Sequence, residues 1–277
     1  MFGDKDELRE IQLKELALLK EVKRICKKYR LRYFLCGGTL LGAVRHQGFI
    51  PWDDDIDIMM PREDYEQFIR MASEEWQDNI QVEDYYYTNS ARPDCITHVV
   101  DKKTTIIRTN CMKERRENLC IDIFPLDGMP KSAVGRIIYF YYFRFYHYLF
   151  LISCFSSMVN MDKPGRPLWE KAAIKFLSRI NMEKWLNSKR LLKKQHSILM
   201  KYKYEDSKYI YSGFGTYGKK EILPKKYFHA VSFLRFEDDS YCVPSMYHEE
   251  LTHYYGDYMV IPKKQKKRQH SYKVAGK

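Results

Sequence analysis

The sequence predicts an α/β fold of the α+β kind, a mixed-sheet core with a helical elaboration in the second half of its 277 residues. Three observations carry this. Residues 6–30 and 61–76 place apolar side chains at helical spacing, whereas 31–36, 80–87, 95–100 and 104–109 are short β-like runs. Between the two helical stretches, an apolar run meets Gly37-Gly38, and a period-two pattern follows in Asp55-Ile56-Asp57-Ile58. Beyond Pro130 the chain turns aromatic, basic and helical.

In the first helix, Leu8, Ile11, Leu18, Val22, Ile25 and Tyr29 form one apolar stripe, which reads as a packing surface. Leu31 to Cys36 then forms a strand that delivers Gly37-Gly38 at its C-terminal end, where open α/β sheets tend to bind ligands. Thr39 to His46 reads as a short helix with Thr39 near its cap. Arg45 and His46 at its far end fit a phosphate or an acceptor, or simply the negative end of the helix dipole. Gly48 to Trp52 is a loop leading to the aspartates. Trp52 either packs or faces a base or a quaternary ammonium group.

Alternation puts Asp55 and Asp57 on one face of a strand, about 7 Å apart, with Ile56 and Ile58 behind them. Asp53 joins that face only if the strand begins early, and Asp54 points away. Such a pair suits a hard divalent cation. The glycines let backbone N–H groups approach a phosphate, and the following helix offers its positive end. Phosphate cradle and metal carboxylates together are the minimum equipment for phosphoryl or nucleotidyl transfer.

Pro61 to Trp76 is a second packing helix. Lys113 to Glu117 reads as the turn of a hairpin whose second strand carries Asp122 between Ile121 and Ile123. A lone carboxylate in such a strand costs several kcal/mol unless it is paired or on a metal. Asp127 before Gly128 reads as a turn residue.

Gly37-Gly-Thr-Leu-Leu-Gly-Ala-Val-Arg-His46 and then Gly48-Phe-Ile-Pro-Trp-Asp-Asp-Asp-Ile-Asp57 resemble the signature of the LicD family. Ile121-Asp-Ile-Phe-Pro-Leu-Asp-Gly128 and Leu251-x-x-x-Tyr-Gly-Asp-Tyr258 are similar to later parts of the same family. The resemblance covers roughly 30–130 and 240–270 and is weak between them. It implies a nucleotidyltransferase-like core and transfer of phosphocholine, or a similar phospho-alcohol, from a CDP-linked donor. CDP-choline is the leading donor. The implied acceptor is a glycan hydroxyl on lipopolysaccharide, a teichoic-acid-like precursor or another surface polysaccharide, free or lipid-linked.

By the same resemblance, Asp55, Asp57 and Asp122 would be catalytic and would hold Mg²⁺ or Mn²⁺, Asp122 acting as third ligand or as base. Gly37, Gly38 and Thr39 would hold a phosphate, and Arg45, His46, Trp52 and Asp53 would contact substrate. Arg268 or His270 would close over the nucleotide phosphates. Fukutin-related proteins show Asp-x-Asp-x-Asp here, which leaves Asp54 outside the set. Trp52, or tyrosines around 211–217 and 254–258, would cage a choline group.

The expected organisation is a catalytic core over 1–130, a Tyr-rich helical elaboration over 131–205 and a returning segment with a basic tail over 206–277. Ile137 to Val159 is nearly all apolar or aromatic. Buried helices are the first reading of it, helices at a membrane interface the second, and a bilayer span the third, since a central Arg144 opposes insertion. The net charge of +12 favours anionic partners. Seven scattered cysteines without metal-type spacing and a polar N-terminus suggest a cytoplasmic protein, peripheral at the inner membrane face if it touches lipid. Two other functions share these features. One is a nucleotidyltransferase that moves NMP from an NTP; the other is a non-catalytic basic module that binds nucleic acid or membrane.

Overall fold

The computed structural model describes residues 5–76, 79–84, 86–88, 95–108, 115–155, 184–261 and 272–274, with 167, 172, 174 and 175 between. α1 (Lys5–Tyr29) is the predicted amphipathic helix, with Asp6 and Glu7 in its first turn and Lys27 and Lys28 in its last, as the dipole favours. β1 (Phe34–Leu35) is shorter than the apolar run suggested. α2 (Gly37–His46) opens on the glycines themselves, two residues before Thr39. β2 (Asp57–Pro61), α3 (Arg62–Glu75) and β3 (Ile80–Glu83) follow.

The runs 95–100 and 104–109 are one strand, β4 (Thr97–Arg108), not two. Its pairing shifts register between Asp101 and Thr105. Asp101 explains the continuity: its carboxylate accepts from the Lys103 N–H and the Thr104 hydroxyl, at 3.0 and 2.6 Å. The chain therefore bulges and resumes instead of turning. β5 (Arg115–Gly128) likewise begins inside the segment expected to turn and runs through Asp127.

Asp127 is a correction. Its backbone pairs with Tyr211 of β6 (Tyr209–Tyr211), so the strand continues where a turn was expected. Its side chain is buried and accepts two bonds from Arg62, from Nε and Nη2, each 2.7 Å long.

One sheet has the order β1-β2-β5-β4-β10, where β10 is Tyr272–Val274. β3 also pairs β4, and β6 extends from the end of β5 to β7 (Ile222–Pro224). β2 and β5 run parallel; the other pairings among the described strands are antiparallel. A separate hairpin joins β8 (Val231–Phe236) to β9 (Asp239–Pro244), and it leads into a further helix over Tyr247–Tyr255. The main core combines Leu19, Val22, Ile58, Phe68 and Ile121 with Phe236, Tyr241, Val243 and Leu251, so the C-terminal segment packs into the same interior.

The second half adds α4 (Ala133–Ser153) and α5 (Ser188–Leu199); the helix over 247–255 is α6. α4 and α5 lie antiparallel. The Tyr139 hydroxyl donates to the Ile198 carbonyl at 2.7 Å, and His147 meets Gln195 at 3.0 Å. Among the described residues no helix is long and apolar enough to cross a membrane. α4 is buried on one side only, through Tyr139, Phe140, Phe143 and Phe150. The predicted turn at Asp162–Pro167 and much of the expected helix over 168–203 lie outside the described residues.

Candidate active site

The site forms where β2, β5 and β4 bring three polar side chains into one row. Asp57 is the register partner of Asp122 across the parallel pair, and Asp122 is the partner of His98 across the antiparallel pair. Directly opposed residues share a face, so three polar side chains cross three strands side by side. His98 is buried, and its Nδ1 lies 2.7 Å from Asp122 Oδ1. Cys120, two residues earlier on β5, puts its sulfur 3.7 Å from both atoms.

Asp57 sits at the first residue of β2. Its carboxyl is pushed well above the usual range, first by burial and then by the negative charge of Asp55, Asp122 and Asp53. The other two predicted carboxylates and Asp53 therefore all act on Asp57. Asp54 is 1% exposed, which places it away from the open side of the site. Beneath the cluster lies Glu15 of α1, also buried. Burial raises its carboxyl, with smaller contributions from Asp55, Cys120, Asp54 and Asp122.

The paired glycines make room for these carboxylates. Gly37 has φ +55°, and a Cβ there would lie 3.3 Å from Asp57 Oδ2. A Cβ on Gly38 would come within 2.6 Å of Asp53 Oδ2. The α2 N-terminus and the acidic strand can approach this closely only because both positions lack side chains. Thr39 is buried, and its hydroxyl accepts the Asp57 N–H at 2.8 Å. It thus fixes the start of the strand that carries the carboxylate.

Arg45, His46 and Trp52 gather at the other end of α2. Arg45 donates to the Tyr258 carbonyl at 3.1 Å, and the His46 and Trp52 rings meet edge to face at 6.4 Å. Burial lowers the pKa of His46, with Arg45 adding to the effect. Arg268 and His270 lie outside the described residues.

A cavity of about 80 Å³ opens beside Asp57, lined by Gly37, Phe124, Ser212, Tyr217, Glu221 and Tyr254 among others. Glu221 is buried and accepts from the Tyr217 N–H and the Tyr254 hydroxyl, both at 2.9 Å. Neither Glu221 nor Glu15 stands out as a site residue in the sequence, and His98 and Cys120 do not either. His98 does carry a signal. It is a polar residue in the apolar run Cys95-Ile-Thr-His-Val-Val100, as Asp122 is in its own strand.

One compact metal-type arrangement among the described residues includes Asp122. His98, Cys120 and Asp122 have ligand-type atoms within 4.8 Å of one another. A separation of 2.7 Å between His98 and Asp122 is that of a hydrogen bond, in which His98 orients the carboxylate. Apart from that arrangement, Asp55, Asp122 and Asp53 each bear electrostatically on Asp57. Mutual repulsion among these acids is what a divalent cation on their oxygens would relieve.

Two carboxylates and a histidine in register on a mixed sheet, facing a glycine-started helix, are compatible with a phosphotransferase built on a nucleotidyltransferase-type core. The family model for the LicD/FKTN/FKRP nucleotidyltransferase domain matches residues 30–148. The lipopolysaccharide cholinephosphotransferase LicD of Haemophilus influenzae is 33% identical over 272 residues, 95% of each chain. The human ribitol 5-phosphate transferase FKRP is 43% identical over 53 residues, 18% of this chain and 11% of its own, and its mouse counterpart matches equally. The chain belongs to the LicD family, and it is an enzyme of the phosphotransferase class.

Proposed function

We propose that the enzyme moves phosphocholine, or a closely similar phospho-alcohol, from a CDP-linked donor to a glycan hydroxyl. The observation that carries this is the row Asp57–Asp122–His98 across β2, β5 and β4. Full-length similarity to a lipopolysaccharide cholinephosphotransferase supports the choice of head group and of a lipopolysaccharide-type acceptor, lipid-linked or free.

Asp55, Asp57 and Asp122 would hold Mg²⁺ or Mn²⁺, which would neutralise donor phosphate charge and the departing CMP oxygen. The chain's own residues do the rest. The α2 N-terminus at Gly37 and Gly38 faces the acidic row and offers backbone N–H groups to a phosphate. Asp122, held by His98, takes the proton of the glycan hydroxyl as that oxygen forms the new bond to phosphorus. The bond between phosphorus and the CMP oxygen breaks, and CMP leaves. Arg45, His46 and Trp52 contact the donor, and Asp53 stays beside Gly38. The scattered cysteines, which lack metal-type spacing, favour a cytoplasmic setting.

Calorimetric titration with CDP-choline, CDP-ribitol, CDP-ethanolamine and CTP, with and without Mg²⁺, tests the reading. The expected result is metal-dependent binding of one CDP-alcohol above CTP, lost in Asp57→Ala. Preference for CTP with release of pyrophosphate would replace it with nucleotidyl transfer. Metal-independent, salt-sensitive binding of nucleic acid alone would replace it with a basic binding module.

A further inference from the structure

α4 is apolar nearly all round, yet only half of it is covered. Tyr139, Phe140, Phe143 and Phe150 face α5 and the neighbouring loop. On the opposite side, Ile137, Ile138, Tyr141, Tyr142, Phe145 and Tyr148 are 52%, 65%, 56%, 45%, 58% and 54% exposed. At 3.6 residues per turn these six form one stripe about three turns long. A helix without a continuous polar face belongs in an apolar surrounding on both sides. A continuous exposed stripe of this kind marks a contact surface, unlike isolated exposed side chains.

Charge selects the partner. Neither α4 nor α5 contains an Asp or Glu, whereas they carry Arg136, Arg144, Lys189, Arg190, Lys193 and Lys194. Several cations lie against the aromatic rings of this region. Lys194 Nζ is 5.9 Å from the Tyr142 ring centre, Lys219 Nζ is 4.9 Å from that of Tyr141, and the Arg144 guanidinium is 4.7 Å from that of Tyr148. Aromatic and aliphatic side chains bordered by Lys and Arg match the interfacial layer of an anionic bilayer, where rings sit at headgroup depth and basic groups reach lipid phosphates. A protein groove would supply acidic partners to these cations only by chance; an anionic leaflet presents them everywhere.

We infer that the outer face of α4 seats the enzyme on the surface of an anionic phospholipid membrane, with the helix lying in the interface plane. Binding is read without turnover, so the inference stands or falls apart from the transfer reaction.

The test is cosedimentation of the full chain with vesicles of phosphatidylcholine alone and with one quarter phosphatidylglycerol. The expected result is binding to the anionic vesicles only, weakened by salt, and reduced at least tenfold in Ile138→Ser/Phe145→Ser. Leu13→Ser, which removes an apolar side chain 49% exposed on α1, is the control and should bind as the parent does. Melting temperatures and circular dichroism verify that each variant is folded. Equal sedimentation of parent and double variant would overturn the inference, as would no binding to anionic vesicles. A dimer in solution that the double variant splits, without vesicle binding, would reassign the face to a second copy of the chain.

Discussion

Asp57 on β2 and Asp122 on β5 are register partners across the parallel strand pair, so two acids from distant segments stand shoulder to shoulder on one face. Parallel pairing fixes their spacing through backbone hydrogen bonds such as Asp122 N–H to the Ile56 carbonyl, at 2.9 Å. The acids do not have to find each other; the ladder places them.

That crowding has a cost when no cation is bound. Replacing Asp57 by Asn removes one charge from a buried acidic group, so Asp57→Asn is expected to raise the melting temperature in metal-free buffer. Transfer activity should fall roughly 1,000-fold, equivalent to about 4 kcal/mol in the barrier. Thermal melts with EDTA and a product assay with Mg²⁺ measure the two effects. A loss of both stability and activity would show that Asp57 is chiefly structural.

Thr39 and Gly38 support the same carboxylates. Thr39→Val keeps the shape but leaves the Asp57 N–H without its acceptor, which costs about 1–3 kcal/mol. Thr39→Ser should restore most of it, as denaturant unfolding would register. Gly38→Ala would push against Asp53 Oδ2 and should lower activity more than stability, because the carboxylate can swing aside.

Arg62 and Asp127 are both almost fully buried and doubly bonded. Asp127→Asn or Asp127→Ala strands the guanidinium and should destabilise by about 3–5 kcal/mol. Arg62→Met/Asp127→Leu removes both charges and should recover a large part of that loss. Urea midpoints of the single and double variants give the coupling directly.

Glu250 on α6 supplies a pH dependence. Its carboxylate oxygens are buried without hydrogen-bond partners, and burial, then the charge of Glu221, pushes its pKa up to about 8. The native state therefore holds a proton that the unfolded chain releases near the ordinary carboxylate value. Its contribution is fully present below about pH 4.3, is lost as pH rises to about 8 and is constant above that. Glu250→Gln should flatten this fall, raising stability at pH 8 by several kcal/mol and leaving pH 4 nearly unchanged. Melting curves across pH 4–9 for both proteins decide it.

The parts of this molecule governed by local periodicity are legible in the sequence alone. The α1 stripe and the helix after Gly37-Gly38 follow from spacing within a few residues, whereas the alternation expected across Asp55 and Asp57 is cut short, because β2 begins at Asp57 and leaves Asp55 ahead of the strand. Asp122 stands out because a charge inside an apolar strand is costly. Pairing at a distance leaves no such pattern. His98 meets Asp122 through a register set across a hairpin, and Asp127 reads as a turn residue until Arg62 is placed beside it. The β4 break at Asp101 looks like a turn because its side-chain bonds are those of one. The fold class needs only the elements; the buried acids on α1, on α6 and near Tyr217 need the tertiary assembly.

The tip of the β8–β9 hairpin reaches back to the start of the chain. Glu237, at φ +58°, accepts the Phe49 N–H at 3.1 Å just ahead of the aspartates, and it also pairs with Arg9 of α1. Gly48 lies so near that a Cβ would clash with the Glu237 carboxylate. The loop leading to β2 is thus tethered by residues almost two hundred positions later. A fragment cut to the signature-bearing first half would keep Asp55, Asp57 and Asp122 and still lack the clasp that seats the loop before them. Attempts to shorten the enzyme, split it into complementing pieces or graft its signature elsewhere should carry this hairpin along.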